Sequence, residues 1–293
     1  MRELFTAAAR SLGRTLRRVG AGRSSAAPHA RRVVVVTGAA GGIGRALASR
    51  FAQDGAAVAL LDRDPEALAR TTAELAAAGH AVFAQGCDVR DPAACAKAID
   101  AVVARWGGID VLINNAGISH RSLLADTAPE VLRQVMEVNF FGAVHTTRAA
   151  LASLRARQGV IVAISSVAGF APLIGRTGYA ASKHALHGFF DSLRAELVAD
   201  GVAVLLVCPA YTATAIDRHA LAGDGGRAGA GKATVGKLAT PAEVAAAVFA
   251  GVAGRKRLLV LSPVGKAAYV LARALPRLYE RAMRASVRAD FPT

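Results

Sequence analysis

Tyr179 and Lys183 stand four residues apart, a spacing that puts both side chains on one face of a helix. A phenol with its reference pKa near ~10 is a poor base at neutral pH, and a neighbouring ammonium lowers that value by favouring the phenolate. Such a pair can take the proton of an alcohol, or return one to a carbonyl oxygen, while hydride passes between the carbon and a nicotinamide. Ser165 and Ser166 follow an apolar run at 160–164, where a hydroxyl can bond the substrate oxygen and hold it beside the phenol. His120, His145, His184 and His187 fall into no HExxH or similar ligand pattern, and no GxSxG accompanies them, so no metal and no hydrolytic triad is expected.

A second group of residues is suited to holding a dinucleotide. The β-branched run Val33–Thr37 leads into Gly38-Ala39-Ala40-Gly41-Gly42-Ile43-Gly44, and a helical pattern follows over 45–54. In a strand–turn–helix of this kind Gly38, Gly42 and Gly44 let backbone N–H groups approach a pyrophosphate, and the helix N-terminus adds partial positive charge. About twenty residues on, Asp62 ends the second apolar run, placed to accept hydrogen bonds from an adenosine ribose. A 2′-phosphate there would meet like charge, so NAD is the expected cofactor; Arg63 offsets the repulsion in part and leaves NADP as the alternative. Asp88, after the third run, is a candidate partner for the adenine amino group.

These residues require a particular set of elements. Apolar runs recur near 33–37, 57–61, 81–85, 110–113, 160–164, 202–207 and 257–261, separated by Ala/Leu-rich stretches with helical spacing. Continuous rather than alternating apolarity means strands covered on both faces, as in a parallel sheet between helix layers. Seven strands with right-handed crossovers predict an α/β, doubly wound single domain. The stretch 212–240, rich in glycine, breaks the rhythm; a surface linker and a substrate lid are the two readings, and a lid is expected.

The ordered set Thr37-Gly38-x-x-x-Gly42-x-Gly44, Asn114-Asn115-Ala116-Gly117, Asn139, Ser166 and Tyr179-x-x-x-Lys183 resembles the motifs of the short-chain dehydrogenase/reductase family, spanning most of 33–263. Ser182-Lys183-His184-Ala185-Leu186-His187-Gly188-Phe189-Phe190 is further similar to the branch containing corticosteroid-type and retinol-type dehydrogenases. The resemblance implies a Rossmann-like fold and selects Ser166 over Ser165, which is left to cap the following turn. It makes Asn139 the holder of a water in a proton relay to Lys183. It places Ile43, Val89, Asn114, Ala116 and Gly117 at the cofactor, has Lys183 contact the nicotinamide ribose, and leaves Tyr179 beside the ring. Thr212 and Thr214 become candidates for the carboxamide and phosphate, although Ala210 stands where the family has glycine. The expected activity is NAD(P)-dependent interconversion of an alcohol and a carbonyl, on a lipophilic secondary alcohol or ketone, by a homo-oligomer. A noncatalytic dinucleotide-binding regulator and a lipid-surface scaffold are the alternatives.

Just over half of the 293 residues are apolar and the net charge is +15. Residues 1–32 carry +7, residues 264–293 carry +4, and the body between them only +4. A nucleic-acid binder concentrates charge on its folded surface with aromatic or motif support; neither is present, and nucleic acid is not an expected partner. Cys87, Cys95 and Cys208 lack metal or CxxC spacing, which fits buried thiols of a cytoplasmic protein. No apolar run reaches the ~18–20 residues of a membrane span. Residues 4–19 form a basic amphipathic helix with Leu4, Phe5, Ala8, Leu12, Leu16 and Val19 on one face. Contact with an anionic membrane surface, organelle targeting, and packing on the body compete for it, with membrane contact favoured. At the other end Val264, Ala268, Leu271, Leu275, Leu278 and Ala282 form a stripe opposed by arginines, with Pro276 expected to kink the helix. The division is therefore an extension at 1–32, a catalytic domain at 33–263 and a helical extension at 264–293.

Overall fold

A computed structural model describes residues 31–209, 211–212, 216, 219–229 and 238–287. The helix expected at 4–19, Ala210, Thr214 and much of 212–240 lie outside them. Strands β1 (Val33–Thr37), β2 (Ala57–Asp62), β3 (Val82–Gly86), β4 (Val111–Asn114), β5 (Val160–Ile164), β6 (Ala203–Cys208) and β7 (Leu258–Val260) form one sheet in the order β3-β2-β1-β4-β5-β6-β7. Every pairing in it is parallel. The chain winds outward from β1 in one direction and from β4 in the other, which opens a crevice at the strands' carboxyl ends between them.

Strand periodicity divides the core in two. Val33 and Val35 join the layer with Ile99 and Val102 of α3 (Pro92–Trp106), Leu154 of α5 (Gly142–Ala156) and Phe190 of α6 (Thr177–Glu196). Val34 and Val36 point the other way, onto Leu47 and Phe51 of α1 (Gly42–Gln53), Leu68 of α2 (Pro65–Ala77) and Val248 and Phe249 of α7 (Pro241–Ala253). Phe51 and Phe249 meet with ring centroids 5.2 Å apart. Between α4 (Pro129–Met136) and α5 the chain makes a π-helical turn, Glu137–Phe141, which carries Asn139.

The C-terminal extension is a pair of helices, α8 (Pro263–Ala274) and α9 (Pro276–Val287), rather than one kinked helix. Leu275, at φ −137° and ψ 62°, leaves the helical path, and Pro276 opens α9. That break resets the helical phase and corrects the expected stripe. Leu275 and Leu278 are 54% and 51% exposed, whereas Tyr279 and Val287 are buried. Tyr279 Oη donates to the carbonyl of Pro172 at 2.9 Å, which docks α9 beyond the end of β5.

Candidate active site

One cavity of about 730 Å³ runs along the carboxyl ends of the strands, from the glycine turn to α9. Its glycine end depends on close backbone approach. Gly38 and Gly42 have φ of 63° and 53°. A Cβ on Gly44 would lie 2.0 Å from the Gly38 carbonyl oxygen and 2.6 Å from Asn115 Nδ2, so only glycine lets α1 sit this near the turn. Asn115 locks the arrangement from β4: its Nδ2 donates to the carbonyls of Thr37 and Gly38, and the N–H groups of Asn115 and Ala116 donate to Thr37 Oγ1.

The start of α1 differs from those of α2, α3, α7 and α8. Side chains of Asp64, Asp91, Thr240 and Ser262 cap α2, α3, α7 and α8, but the Gly41 N-cap position of α1 has no side chain to offer. No acidic residue occupies its first turn, and Gly41, Gly42 and Ile43 line the cavity. Such a helix start suits the phosphates of a dinucleotide. Asp62, half-buried at the same end, accepts the N–H of Ala40 on one oxygen and of Asp64 on the other, which fixes its carboxylate at the cavity wall. Asp88 and Val89 line the wall too; the Arg90 guanidinium and N–H bond Asp88 and hold its carboxyl below the usual range.

The glycine turn thus fits a dinucleotide, and the residues expected there divide by geometry. Gly38, Gly42, Ile43, Asp62, Asp88, Val89, Ala116, Gly117 and Thr212 all line the cavity. Gly44 lies behind the lining and acts through packing. Asn114 does not face the cavity through its side chain, which is buried against α5: Nδ2 donates to Thr147 Oγ1 and Oδ1 accepts from Thr146 Oγ1. Its neighbour Asn115 takes the wall position that the motif reading gave to Asn114.

Ser166, Tyr179 and Lys183 converge on the middle of the cavity. Lys183 Nζ lies 5.6 Å from the centre of the Tyr179 ring and donates to the carbonyl of Ile164 at 3.0 Å. Its side chain is buried, and burial pushes its pKa down to about 8. Ser166, on extended backbone at the end of β5, accepts the N–H of Ala168 on its Oγ. It is therefore Ser166, not Ser165, that caps this turn. Ser165 turns inward to His187 Nε2 at 3.0 Å.

Asn139 is held at both ends of its amide. Oδ1 accepts the N–H of Ile118 at 2.8 Å, and Nδ2 donates to the Ile118 carbonyl and to Ser182 Oγ, each at 2.9 Å. Ser182 Oγ in turn donates to the carbonyl of Tyr179. A Cβ on Gly117 would come 3.2 Å from Asn139 Oδ1 and 3.6 Å from Lys183 Nζ, so the missing side chain leaves the space between the amide and the ammonium open.

Sequence reasoning overlooked three supporting residues. Ser182 links Asn139 to the helix of Tyr179; His187 joins Ser165 to Cys208 Sγ at 3.5 Å; His120, completely buried, accepts the N–H of Tyr179. Burial lowers His187 to about 4 and raises Cys208 to about 12, so both are neutral near pH 7. The i, i+4 step from Lys183 to His187 was the available signal for one of them; nothing local marked His120.

The far end of the cavity is apolar. Leu173, Tyr211, Ile216 and Leu221 meet Val264, Ala268, Leu271 and Met283 there. Leu221 belongs to the loop expected to act as a lid, and its N–H donates to the carbonyl of Ser119. Among the described residues there is no group of three or more metal-ligating side chains and no helix long and apolar enough to cross a membrane. Cys87, Cys95 and Cys208 are free and buried.

A parallel sheet wound outward from β1 and β4, with serine, tyrosine and lysine grouped at its carboxyl edge, is the arrangement of an oxidoreductase, and residues 32–224 match the family described as short chain dehydrogenase. The chain belongs to the short-chain dehydrogenase/reductase family and acts as an oxidoreductase on CH–OH groups. It is 40% identical over 266 residues to dehydrogenase/reductase SDR family member 7B of Bos taurus, covering 88% of this chain and 82% of that one. It is 35% identical over 254 residues to the SDR family protein 7-like of Drosophila melanogaster, covering 85% and 78%. Among solved structures, a short-chain dehydrogenase/reductase from Burkholderia phymatum in complex with NAD superposes with a TM-score of 0.77 at 29% identity, over 86% of this chain and 96% of that one. An alcohol dehydrogenase from the archaeon Thermococcus sibiricus complexed with 5-hydroxy-NADP gives 0.69 at 27% identity, over 79% and 96%.

Proposed function

We propose that the protein interconverts a lipophilic secondary alcohol and its ketone with NAD, or with NADP less well. The observation that carries this reading is that the uncapped start of α1, with Asp62 beside it, opens into the same cavity as Tyr179, Lys183 and an apolar wall. When bound, the nicotinamide supplies the hydride acceptor or donor. Tyr179 Oη takes the hydroxyl proton in oxidation and returns it in reduction, with the Lys183 ammonium favouring the phenolate. Ser166 Oγ holds the substrate oxygen against the phenol, and Asn139 with Gly117 keeps a path for proton exchange at Lys183 Nζ. Leu221 and α8–α9 exclude water over the apolar end.

The test is turnover by the purified full chain with NAD(H) or NADP(H) across alcohols and ketones of increasing apolar length. Rising kcat/KM with apolar length and a preference for NAD support the reading. Cofactor binding with no turnover across the panel would overturn the assignment of lipophilic alcohols and ketones as substrates.

The peripheral membrane reading has support of its own at α8–α9. Val264, Val270, Leu275 and Leu278 are 45–63% exposed, next to exposed Arg273, Arg277, Arg281 and Arg284. Exposed apolar side chains on helices that also carry exposed arginines suit an anionic bilayer surface. Cosedimentation with anionic vesicles that falls on the double substitution Leu275→Glu, Leu278→Glu supports it; equal sedimentation by both proteins sinks it.

A further inference from the structure

The helix that bears Tyr179 and Lys183 begins without a side-chain cap from Arg176, its own N-cap residue. The first-turn N–H groups of a helix need acceptors from outside it. For the N–H of Tyr179 that acceptor is Nδ1 of His120, 3.2 Å away and 59 residues earlier in the chain. His120 is completely buried, and its Nε2 has no hydrogen-bond partner among the described residues. With Nδ1 accepting, the proton of the neutral ring sits on Nε2, which fixes the tautomer that serves Tyr179.

His120 is also where the lid meets the catalytic helix. It forms a parallel bridge with Leu221; the N–H of Leu221 donates to the Ser119 carbonyl, and the N–H of Arg121 donates to the Leu221 carbonyl, each at 2.8 Å. Arg176 closes the junction by donating to Ser119 Oγ and to the His120 carbonyl. The short stretch Ser119–Arg121 is thus bonded through the backbone of Ser119 and Arg121 to the segment covering the apolar cavity, and through the His120 ring to the residue proposed to move the proton.

We propose that His120 is a positioning residue: as a neutral imidazole it caps the start of α6 at Tyr179 and ties the placement of the phenol to the docking of the Leu221 segment. This rests on the reading of Tyr179 as the proton-transferring group. Protonation of Nδ1 replaces an acceptor by a donor and breaks the cap. Burial first, and then the Arg176 cation, hold the pKa of His120 below its usual value, which keeps the cap intact at neutral pH. Arg176, the residue before α6, is the charged side chain that acts on it; Leu132 of α4, which with the His120 ring flanks Gly178, and Leu221 of the lid carry no charge.

Three variants of the full chain separate this role from simple core packing. Asparagine places Oδ1 where Nδ1 was, glutamine places its polar atoms nearer the Nε2 position, and leucine removes the acceptor. With a ketone that the wild type reduces, His120→Asn is expected to keep kcat within about threefold, while His120→Gln and His120→Leu lose about tenfold or more with NADH affinity unchanged, as misplacement of a reacting group produces. In the wild type, kcat should fall as pH drops through the depressed His120 pKa, and His120→Asn should lack that limb. Equal kcat in all three variants overturns the proposal, as does an acid limb in His120→Asn identical to the wild type; the latter decides the matter if His120→Leu does not fold. A wild type that turns over no substrate would be a failure of the catalytic reading instead.

Discussion

The two ends of the cavity are made by different means. At the glycine end the wall is largely backbone: β1, the turn and α1 are consecutive in sequence, and Asn115 clamps them through carbonyls that exist in any chain. At the apolar end the wall is side chains from three separate segments, around Leu173, Leu221 and Leu271. Backbone cradles tolerate little substitution and suit a ligand that is the same in every reaction. A wall of side chains on a loop and on terminal helices can change shape without disturbing the sheet, which suits a substrate that differs between relatives.

The catalytic middle gives the strongest test of this division. Tyr179→Phe removes only a hydroxyl, so kcat should drop about 10²- to 10⁴-fold while the NADH dissociation constant, read by fluorescence titration, moves less than about twofold. Wild-type turnover in that variant would remove Tyr179 from the mechanism. The glycine end comes next. Gly44→Ala drives a Cβ into the Gly38 carbonyl, so NADH affinity should fall about tenfold or more and the melting temperature with it, consistent with ~1–3 kcal/mol of overpacking. Gly41→Ala meets nothing within 4 Å among the described residues and should weaken NADH while leaving melting unchanged; a parallel loss of melting temperature would show that the turn is not the preformed cradle described.

Cofactor choice and substrate fit are expected to respond less. Asp62→Ala deletes both the ribose acceptor and the like charge, and should narrow the NAD over NADP ratio of kcat/KM about tenfold. A wild type that prefers NADP in parallel assays contradicts the assignment whatever the variant does. Leu271→Ala at the opposite end should raise KM for an apolar ketone about fivefold, roughly 1 kcal/mol, without touching NADH affinity. If NADH affinity falls equally, the two ends are not separable.

The smallest effect concerns Lys183 and stability. Its pKa in the fold is about 8, below the ~10.4 of an unfolded chain, so the unfolded state binds more protons between those values and stability rises with pH there. Below about pH 8 the buried ammonium costs the fold its full penalty. Lys183→Met should therefore melt a few degrees above the wild type at pH 7 while losing turnover, and the gap should narrow from pH 8 towards pH 10. A gap constant across that range would place the ammonium in better-solvated surroundings.

Sequence reading succeeded where the relevant physics is local. Seven strands, their parallel pairing and the strand–glycine–helix opening follow from runs of apolar residues and from turn residues at fixed offsets, although the edge strands β3 and β7 are only partly buried. The i, i+4 spacing likewise placed Tyr179 and Lys183 on one face before any neighbour was known. It failed where a side chain had a choice of directions. Asn114 and Asn115 are the same residue type in adjacent positions, one the last residue of β4 and the other just beyond it, and their side chains part, one into the helix layer and the other to the cavity. Ser165 and Ser166 divide in the same way, and the inward serine found His187. Pro276 announced a break but not the new phase of α9, because the path of Leu275 is set by how the second helix docks through Tyr279. The amino-acid sequence by itself determined the elements, their order and the residue types available for proton transfer, since propensity and periodicity act within a few residues. Only the tertiary structure decided that His120 would cap the helix of Tyr179 and that α8–α9 would close the apolar end, because hydrogen bonds and burial across tens to more than a hundred residues depend on which surfaces the finished sheet brings together.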